Sequence, residues 1–248
     1  MVRRFKLTIE YDGTLYHGWQ MQEGLATIQG ALQEAIFVLT GERADIYVSG
    51  RTDAGVHALA QVAHVDIRKE LRPFQVMSAL NSLLKPQPIS ILHAEDVAFD
   101  FHARFSTLYR QYRYRIINRR APLAIEHNRA WRVVKPLDVA LMQRAANHLI
   151  GHHDFSSFRS TECQAASPMK HLDVLQCLQQ GDAIEIMAKA PSFLHNQVRI
   201  TVGTLAEVGM GNRLPDEIKT ILDAKDRRAA GQTAPACGLY LEHIGYPV

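Results

Sequence analysis

Gly50-Arg51-Thr52-Asp53-Ala54-Gly55-Val56-His57 is preceded by Ile46-Tyr47-Val48-Ser49 and followed by the apolar run Gln61 to Ile67. The three pieces read as strand, glycine-bounded loop and strand. Gly50 and Gly55 permit tight turns or close backbone approach. Asp53 therefore belongs at a strand end, on a loop that a bulky partner can reach. Arg51 beside it suits a phosphate or a carboxylate. Two readings of the aspartate fit this spacing. It is a turn residue bonding its own backbone, or it is a single carboxylate acting on a nucleotide.

Working outward, Phe5 to Tyr11 alternates as a strand, and Asp12-Gly13 is a hairpin-turn signal with β-prone residues on both sides. A helix follows, with Thr27 as N-cap, Ile28, Leu32, Ala35, Ile36 and Leu39 at helical spacing, and Gly41 to end it. Another helix starts at Pro73 and buries Val76, Leu80 and Leu83 or Leu84. Farther on, Leu137, Leu141, Ala145 and Leu149 mark a helix face closed by Gly151, and a strand-like Asp154 to Phe158 follows. Strands are expected near Asp173 to Leu178 and Ala183 to Ala188, and a long helix over Phe193 to Val208. Pro215-Asp216-Glu217 opens one more helix, with acids in its first turn as the macrodipole favours. Gly238 to Ile244 reads as the last strand. Helix, glycine and strand recur in both parts of the chain. This predicts an α+β fold of two related halves, 1–105 and 106–248, packed without a Gly/Ser linker.

Composition narrows the class. A chain of 248 residues suits one large domain or two modest ones, and 47% hydrophobic with 21% charged residues is ordinary for a soluble globular protein. No segment approaches the ~18 uninterrupted apolar residues of a membrane span. Arg3, Arg4 and Lys6 precede no apolar segment, so a secretory signal is not expected. Cys163, Cys177 and Cys237 are odd in number and widely spaced, which suits a reducing cytoplasm and argues against a disulfide framework or a zinc ribbon.

A net charge of +3 is mild, but its distribution is uneven. Between Phe101 and Ile125 there is no acid, while Arg104, Arg110, Arg113, Arg115, Arg119 and Arg120 alternate with Phe101, Phe105, Tyr109, Tyr112 and Tyr114. Arginine neutralises phosphates and aromatic faces stack on bases. A solvated edge strand protected by arginines is the other reading. As a strand, Tyr112-Arg113-Tyr114-Arg115 sends both tyrosines to one face and both arginines to the other. The tyrosines then either cover a core or face a ligand. Twelve histidines raise a metal site, but neither His152-His153-Asp154 nor His64-x-Asp66 has a recognised ligand spacing, and a catalytic metal is not expected. Gly209-x-Gly211 follows a helix and lacks a third glycine, so it is no dinucleotide fingerprint.

The run GRTDAGVHALAQVAHVD, Gly50 to Asp66, resembles the signature of the tRNA pseudouridine synthases of the anticodon-arm type, the A family. Dispersed segments extend the resemblance in order. These are Ile9-Glu10-Tyr11-Asp12-Gly13-Thr14 with Tyr16-His17-Gly18-Trp19-Gln20, Phe101 to Ser106, Tyr112-Arg113-Tyr114, Asp154 to Arg159, Phe193 to Arg199 and Gly238-Leu239-Tyr240-Leu241. The resemblance implies two similar α+β halves, a largely antiparallel sheet flanked by helices, and a basic cleft between the halves. It implies isomerisation of uridines 38, 39 and 40 of tRNA by a cytoplasmic homodimer whose partner is the anticodon arm, with no membrane association.

By the same resemblance Asp53 is the catalytic residue, Tyr112 stacks on the target base, and Arg199 lies next to the aspartate. Arg51 contacts RNA or helps displace the base, Leu239 walls the pocket, and Arg104, Arg110 and Arg113 contact phosphates. Gln197 and Leu108-Tyr109 depart from the pattern, as changes that adjust RNA contacts would. Breaking N1–C1′ and joining C5 to C1′ involves no redox change, phosphate transfer or net hydrolysis, so no cofactor is required. Asp53 either adds as a nucleophile or removes a sugar proton to begin a glycal route. The alternatives are a noncatalytic RNA-binding module or RNA chaperone using the same basic-aromatic surface, and a metal-dependent hydrolase built on the histidines.

Overall fold

A computed structural model describes residues 1–247. In chain order the elements are β1 (Arg3–Tyr11), α1 (Ile28–Thr40), β2 (Ile46–Val48), β3 (His57–Ile67), α2 (Pro73–Leu83) and β4 (Ile89–Val97). Then come β5 (Tyr109–Asn118), β6 (Trp131–Val133), α3 (Val139–Asn147), β7 (Gly151–Asp154), β8 (Met169–Leu172), β9 (Val174–Gln180) and β10 (Ala183–Ala190). The chain closes with α4 (Gln197–Gly209), α5 (Glu217–Ala224) and β11 (Leu239–Gly245). It forms two compact units, one of Met1–Leu108 with Tyr240–Val248 and one of Tyr109–Leu239.

In the first unit β1 is central, antiparallel to β3 on one side and β4 on the other. β2 pairs with β3 antiparallel, and Tyr240 and Leu241 of β11 pair with His57 and Ala58 in parallel. Phe5, Leu7, Ile9 and Tyr11 alternate into the core. There they join Ile28, Leu32 and Ile36 of α1 and Val76 and Leu80 of α2, all buried. Burying each of the larger aliphatic or aromatic chains contributes about 1.5–3 kcal/mol.

The other face of this sheet is polar. Register places Arg4 opposite Asp66, and Lys6 opposite His64, which in turn faces Tyr47. The segment after β4 lies over that face as a strap. Arg4 donates to the carbonyls of Phe99 (2.6 Å) and Phe101 (2.9 Å), and the Ala103 N–H donates to His64 Nδ1 at 3.1 Å. The Tyr246 hydroxyl donates to the Ala103 carbonyl at 2.7 Å.

In the second unit β10 lies between β5 and β9, antiparallel to both, while β6 joins β5 in parallel. α3 packs on α4 and on β9. β7 and β8 form a separate two-stranded sheet. Among the described residues the class is α+β, with predominantly antiparallel pairing and five α-helices.

Several local expectations hold for the reasons the sequence supplies. Thr27 caps α1 by accepting the Gly30 N–H, and Gly41 ends it at φ +77°. Others are corrected. Asp12-Gly13 turns no hairpin: Asp12 caps a short 3-10 turn, Gly13–Leu15, by accepting the Thr14 N–H. Asp154 to Phe158 is not one strand, because β7 stops at Asp154 and Ser156–Phe158 is a 3-10 turn. α4 begins at Gln197 rather than Phe193, because Asn196 before it is left-handed at φ +60°.

Candidate active site

Asp53 sits on a loop clamped from inside the first unit. β2 hands the chain to Ser49, whose N–H bonds the Val62 carbonyl at 2.9 Å. Gln61, fully buried on β3, donates to the Gly50 carbonyl at 2.8 Å and to the Tyr11 hydroxyl at 3.4 Å. Tyr11 and Thr52 share a hydroxyl–hydroxyl bond of 2.7 Å, both residues buried. The Thr52 carbonyl takes the Trp19 N–H at 3.0 Å, the Asp53 carbonyl takes the Val56 N–H at 3.2 Å, and the Gly55 N–H reaches the Tyr16 carbonyl at 3.2 Å.

Two glycines let the backbone come this close. A Cβ on Gly18 (φ +86°) would stand 2.6 Å from the Thr52 carbonyl oxygen, and one on Gly13 would overlap the Val56 carbonyl. Gly55 turns the loop at φ +76°. Behind it, buried His57 stacks on Tyr240 with centroids 4.7 Å apart and accepts the Gly13 N–H at Nδ1 (3.0 Å). That bond puts the ring proton of neutral His57 on Nε2. The nearby Asp12 carboxylate, 3.2 Å from Nδ1, is therefore an ionic neighbour only of a protonated ring. With the backbone so fixed, Asp53 is half-buried and Arg51 is exposed. Hydrogen bonds and close backbone packing hold the loop, which carries a carboxylate and a guanidinium two residues apart.

Within the second unit, β5 alternates as expected: Tyr112 and Tyr114 are buried, Arg113 and Arg115 partly exposed. Tyr112 meets Phe193 edge to face at 5.2 Å. Tyr114 is the more enclosed, donating its hydroxyl to the Pro235 carbonyl at 2.7 Å, and burial raises its pKa well beyond the ordinary 10.0. Gly238 is required there, since a Cβ would lie 2.6 Å from the Tyr114 ring. Leu239, buried, opens β11 directly after it.

Arg199 is half-buried on α4. Its Nε donates to the Ala234 carbonyl (2.7 Å) and its Nη1 to the Asn196 side-chain oxygen (2.9 Å). Gln197 is buried and accepts the Leu194 N–H at 2.8 Å at the start of α4.

The acid-free stretch acquires acids through pairing. Arg113 lies 3.4 Å from Glu185 of β10, Arg115 makes two bonds to Glu126 (3.0 and 3.1 Å), and Arg119 meets Asp182 at 3.1 Å. Arg110 donates to the Pro191 carbonyl at 2.7 Å. Arg104 is exposed, its guanidinium 5.8 Å over the Phe105 ring.

A family model described as tRNA pseudouridine synthase matches residues 7–106 and 145–247. Over 243 residues the chain is 54% identical to the tRNA pseudouridine synthase A of Rhodopseudomonas palustris strain HaA2, covering 98% of this chain and 99% of that protein. The proteins of the same name from Azorhizobium caulinodans and Rhodospirillum rubrum are each 52% identical over 244 residues, covering 98% of this chain and 95% and 88% of theirs. The chain belongs to the tRNA pseudouridine synthase family. The family model spans Asp53, Arg51, Arg104, Arg199 and Leu239. Tyr112, Arg110 and Arg113 lie between its two matched segments, in a stretch that the alignments with relatives include.

Of the groups that build the Asp53 loop in this pseudouridine synthase, sequence reading missed Tyr11, Trp19 and Gln61 as supports. Gln61 left a signal, being a lone amide inside the apolar run of β3. Nothing local marked Asn196. Among the described residues no three His, Cys, Asp or Glu side chains gather to hold a metal ion. His152 and His171 face each other across β7 and β8 at 6.4 Å. Nor is any described helix long and apolar enough to cross a membrane.

Proposed function

We propose that this chain isomerises uridine to pseudouridine in the anticodon arm of tRNA, at positions 38, 39 and 40, with Asp53 as the catalytic carboxylate. Membership of the family carries the reaction class. What supports Asp53 is the loop, which holds one half-buried carboxylate by its backbone while the side chain of Arg51 remains exposed. The reaction breaks N1–C1′, turns the detached uracil, and joins C5 to C1′. N1 gains the proton that C5 loses, so atoms balance without a co-reactant. The target base must leave its stack before a carboxylate can approach the sugar.

Asp53 initiates cleavage, as a nucleophile or by removing a sugar proton. Tyr112 stacks on the uracil, and Arg51 displaces or replaces it through RNA contact. Arg199, held by Asn196 and Ala234, orients the carboxylate, and Leu239 excludes water from the detached base. Arg104, Arg110 and Arg113 bind phosphates. The enzyme works as a homodimer in the cytoplasm.

The test is tritium release from a tRNA transcript labelled at C5 of uridine. The native protein should release label, and Asp53→Asn should retain tRNA binding while releasing none. Appreciable release by Asp53→Asn would remove the aspartate from its role. Binding without release by the native protein would favour a noncatalytic RNA-binding module.

A further inference from the structure

The strap over the polar face of the first unit carries an exposed aromatic cluster that the reaction does not use. Tyr47 stacks on buried His64 at 4.9 Å, and His102 meets both, at 5.3 Å from Tyr47 and 4.7 Å from His64. Phe105 continues the row 4.4 Å from His102 and is 77% exposed, while Tyr47 is 47% exposed. Single exposed aromatics are common, but a contiguous row of rings marks a contact surface.

The row is held rigidly. The Ser106 N–H bonds the His102 carbonyl (2.9 Å), the His102 N–H bonds Ser106 Oγ (3.0 Å), and the Ala103 N–H is fixed on His64. Thr107 donates to the Ala103 carbonyl at 2.7 Å and shares a 2.9 Å hydroxyl bond with Ser49. Ser49 leads directly into the Asp53 loop, so strap and loop are continuous.

The charge around the row is that of an anion site. Arg104 lies over Phe105, and Arg51 is exposed on the neighbouring loop; neither has an acidic partner among the described residues. Of the acids on this face, Asp66 is paired with Arg4 at 2.7 Å and Glu95 with Lys6 at 2.8 Å, while Asp100 stands exposed at the start of the strap. Aromatic faces beside unneutralised guanidinium groups suit bases and phosphates together.

We propose that Phe105, with Tyr47, His102 and Arg104, forms a second RNA-contact platform that stacks an unpaired base of tRNA other than the target uridine. This rests on the reading of the chain as a tRNA-modifying enzyme. Because hydrogen bonds hold the strap's backbone before RNA arrives, little backbone ordering opposes binding.

The experiment compares native protein with Phe105→Ala, Phe105→Leu and Phe105→Trp, using an unmodified tRNA transcript for both binding and tritium release. At 77% exposure Phe105 can be replaced without disturbing the core. Phe105→Ala and Phe105→Leu should raise Kd at least about five-fold, the loss of one base–aromatic stack, with the defect in KM rather than kcat. Phe105→Trp should bind as the native protein does, and its fluorescence should be quenched by tRNA. An unchanged Kd in Phe105→Ala, or an unquenched Phe105→Trp, would overturn the platform. So would a defect confined to kcat, which would make the strap a support of the Asp53 loop. A change of sedimentation without a change of Kd would assign the surface to protein contact instead. Failure of the native protein to bind or isomerise any tRNA would overturn both readings, whereas turnover with unaltered Phe105→Ala binding would remove the platform alone.

Discussion

Single side chains fix the Asp53 loop by hydrogen bonds that leave little freedom. Tyr11→Phe deletes one hydroxyl in a buried trio, taking a partner from Thr52 and from Gln61. A buried polar group left unsatisfied costs about 1–3 kcal/mol. The expected result is a lower melting temperature and a fall in kcat at near-constant KM, read by calorimetry and tritium release. A change in KM alone would detach the trio from loop placement.

His64 makes a second prediction. Burial, with Arg4 and His102 beside it and Asp66 opposing, lowers its pKa from 6.5 to about 4. Between those values the unfolded chain binds a proton that the native protein refuses, so stability falls as the pH drops from 6.5 towards 4. Replacing His64 with Gln should flatten that segment of a melting-temperature profile, and an unchanged slope would place the titration elsewhere. The loop that carries Asp53 was legible as a loop because glycines bracket it. Gln61 was passed over because a lone amide in an apolar run reveals its partners only when Gly50 is brought beside it.

Elements show where local reading succeeds and where pairing decides. β5 was readable because Tyr112 and Tyr114 alternate with arginines. Its acids were not, since Glu185 arrives from a distant strand and antiparallel register brings it alongside. Charge reversal of Arg110 and Arg113 should weaken tRNA binding and flatten the log Kd against log salt plot by about two, near one unit for each phosphate no longer neutralised. An undiminished slope would put the phosphates elsewhere. Thr27 and Gly41 announced both ends of α1, because caps are written in sequence. The start of α4 was not announced, since the left-handed Asn196 suits a hydrogen bond to Arg199 that no periodicity encodes. Gly203 on α4 faces the Gln232 carbonyl so closely that a Cβ would overlap it. Gly203→Ala, although it favours a helix, should therefore destabilise by about 1–3 kcal/mol, the usual range for overpacking. A raised melting temperature would show that the 232–234 segment can retreat.

At the scale of the whole molecule, the sequence conveyed the α+β class, because strand and helix periods differ and each recurs along the chain. It did not convey that the chain revisits its first unit at the end. β11 is too short and too ordinary in composition to name its partner. Only pairing shows that Tyr240 and Leu241 lie beside His57 and Ala58, and that Tyr246 reaches the Ala103 carbonyl. On a ribosome, the aspartate loop emerges early, yet the ring that backs His57 is synthesised only after the entire second unit. The nascent first unit must wait with the His57–Ala58 end of β3 unpaired on the side away from β1, and premature termination anywhere before Tyr240 leaves it so. A partial translation product would carry the aspartate loop's own hydrogen bonds but lack the ring that backs His57.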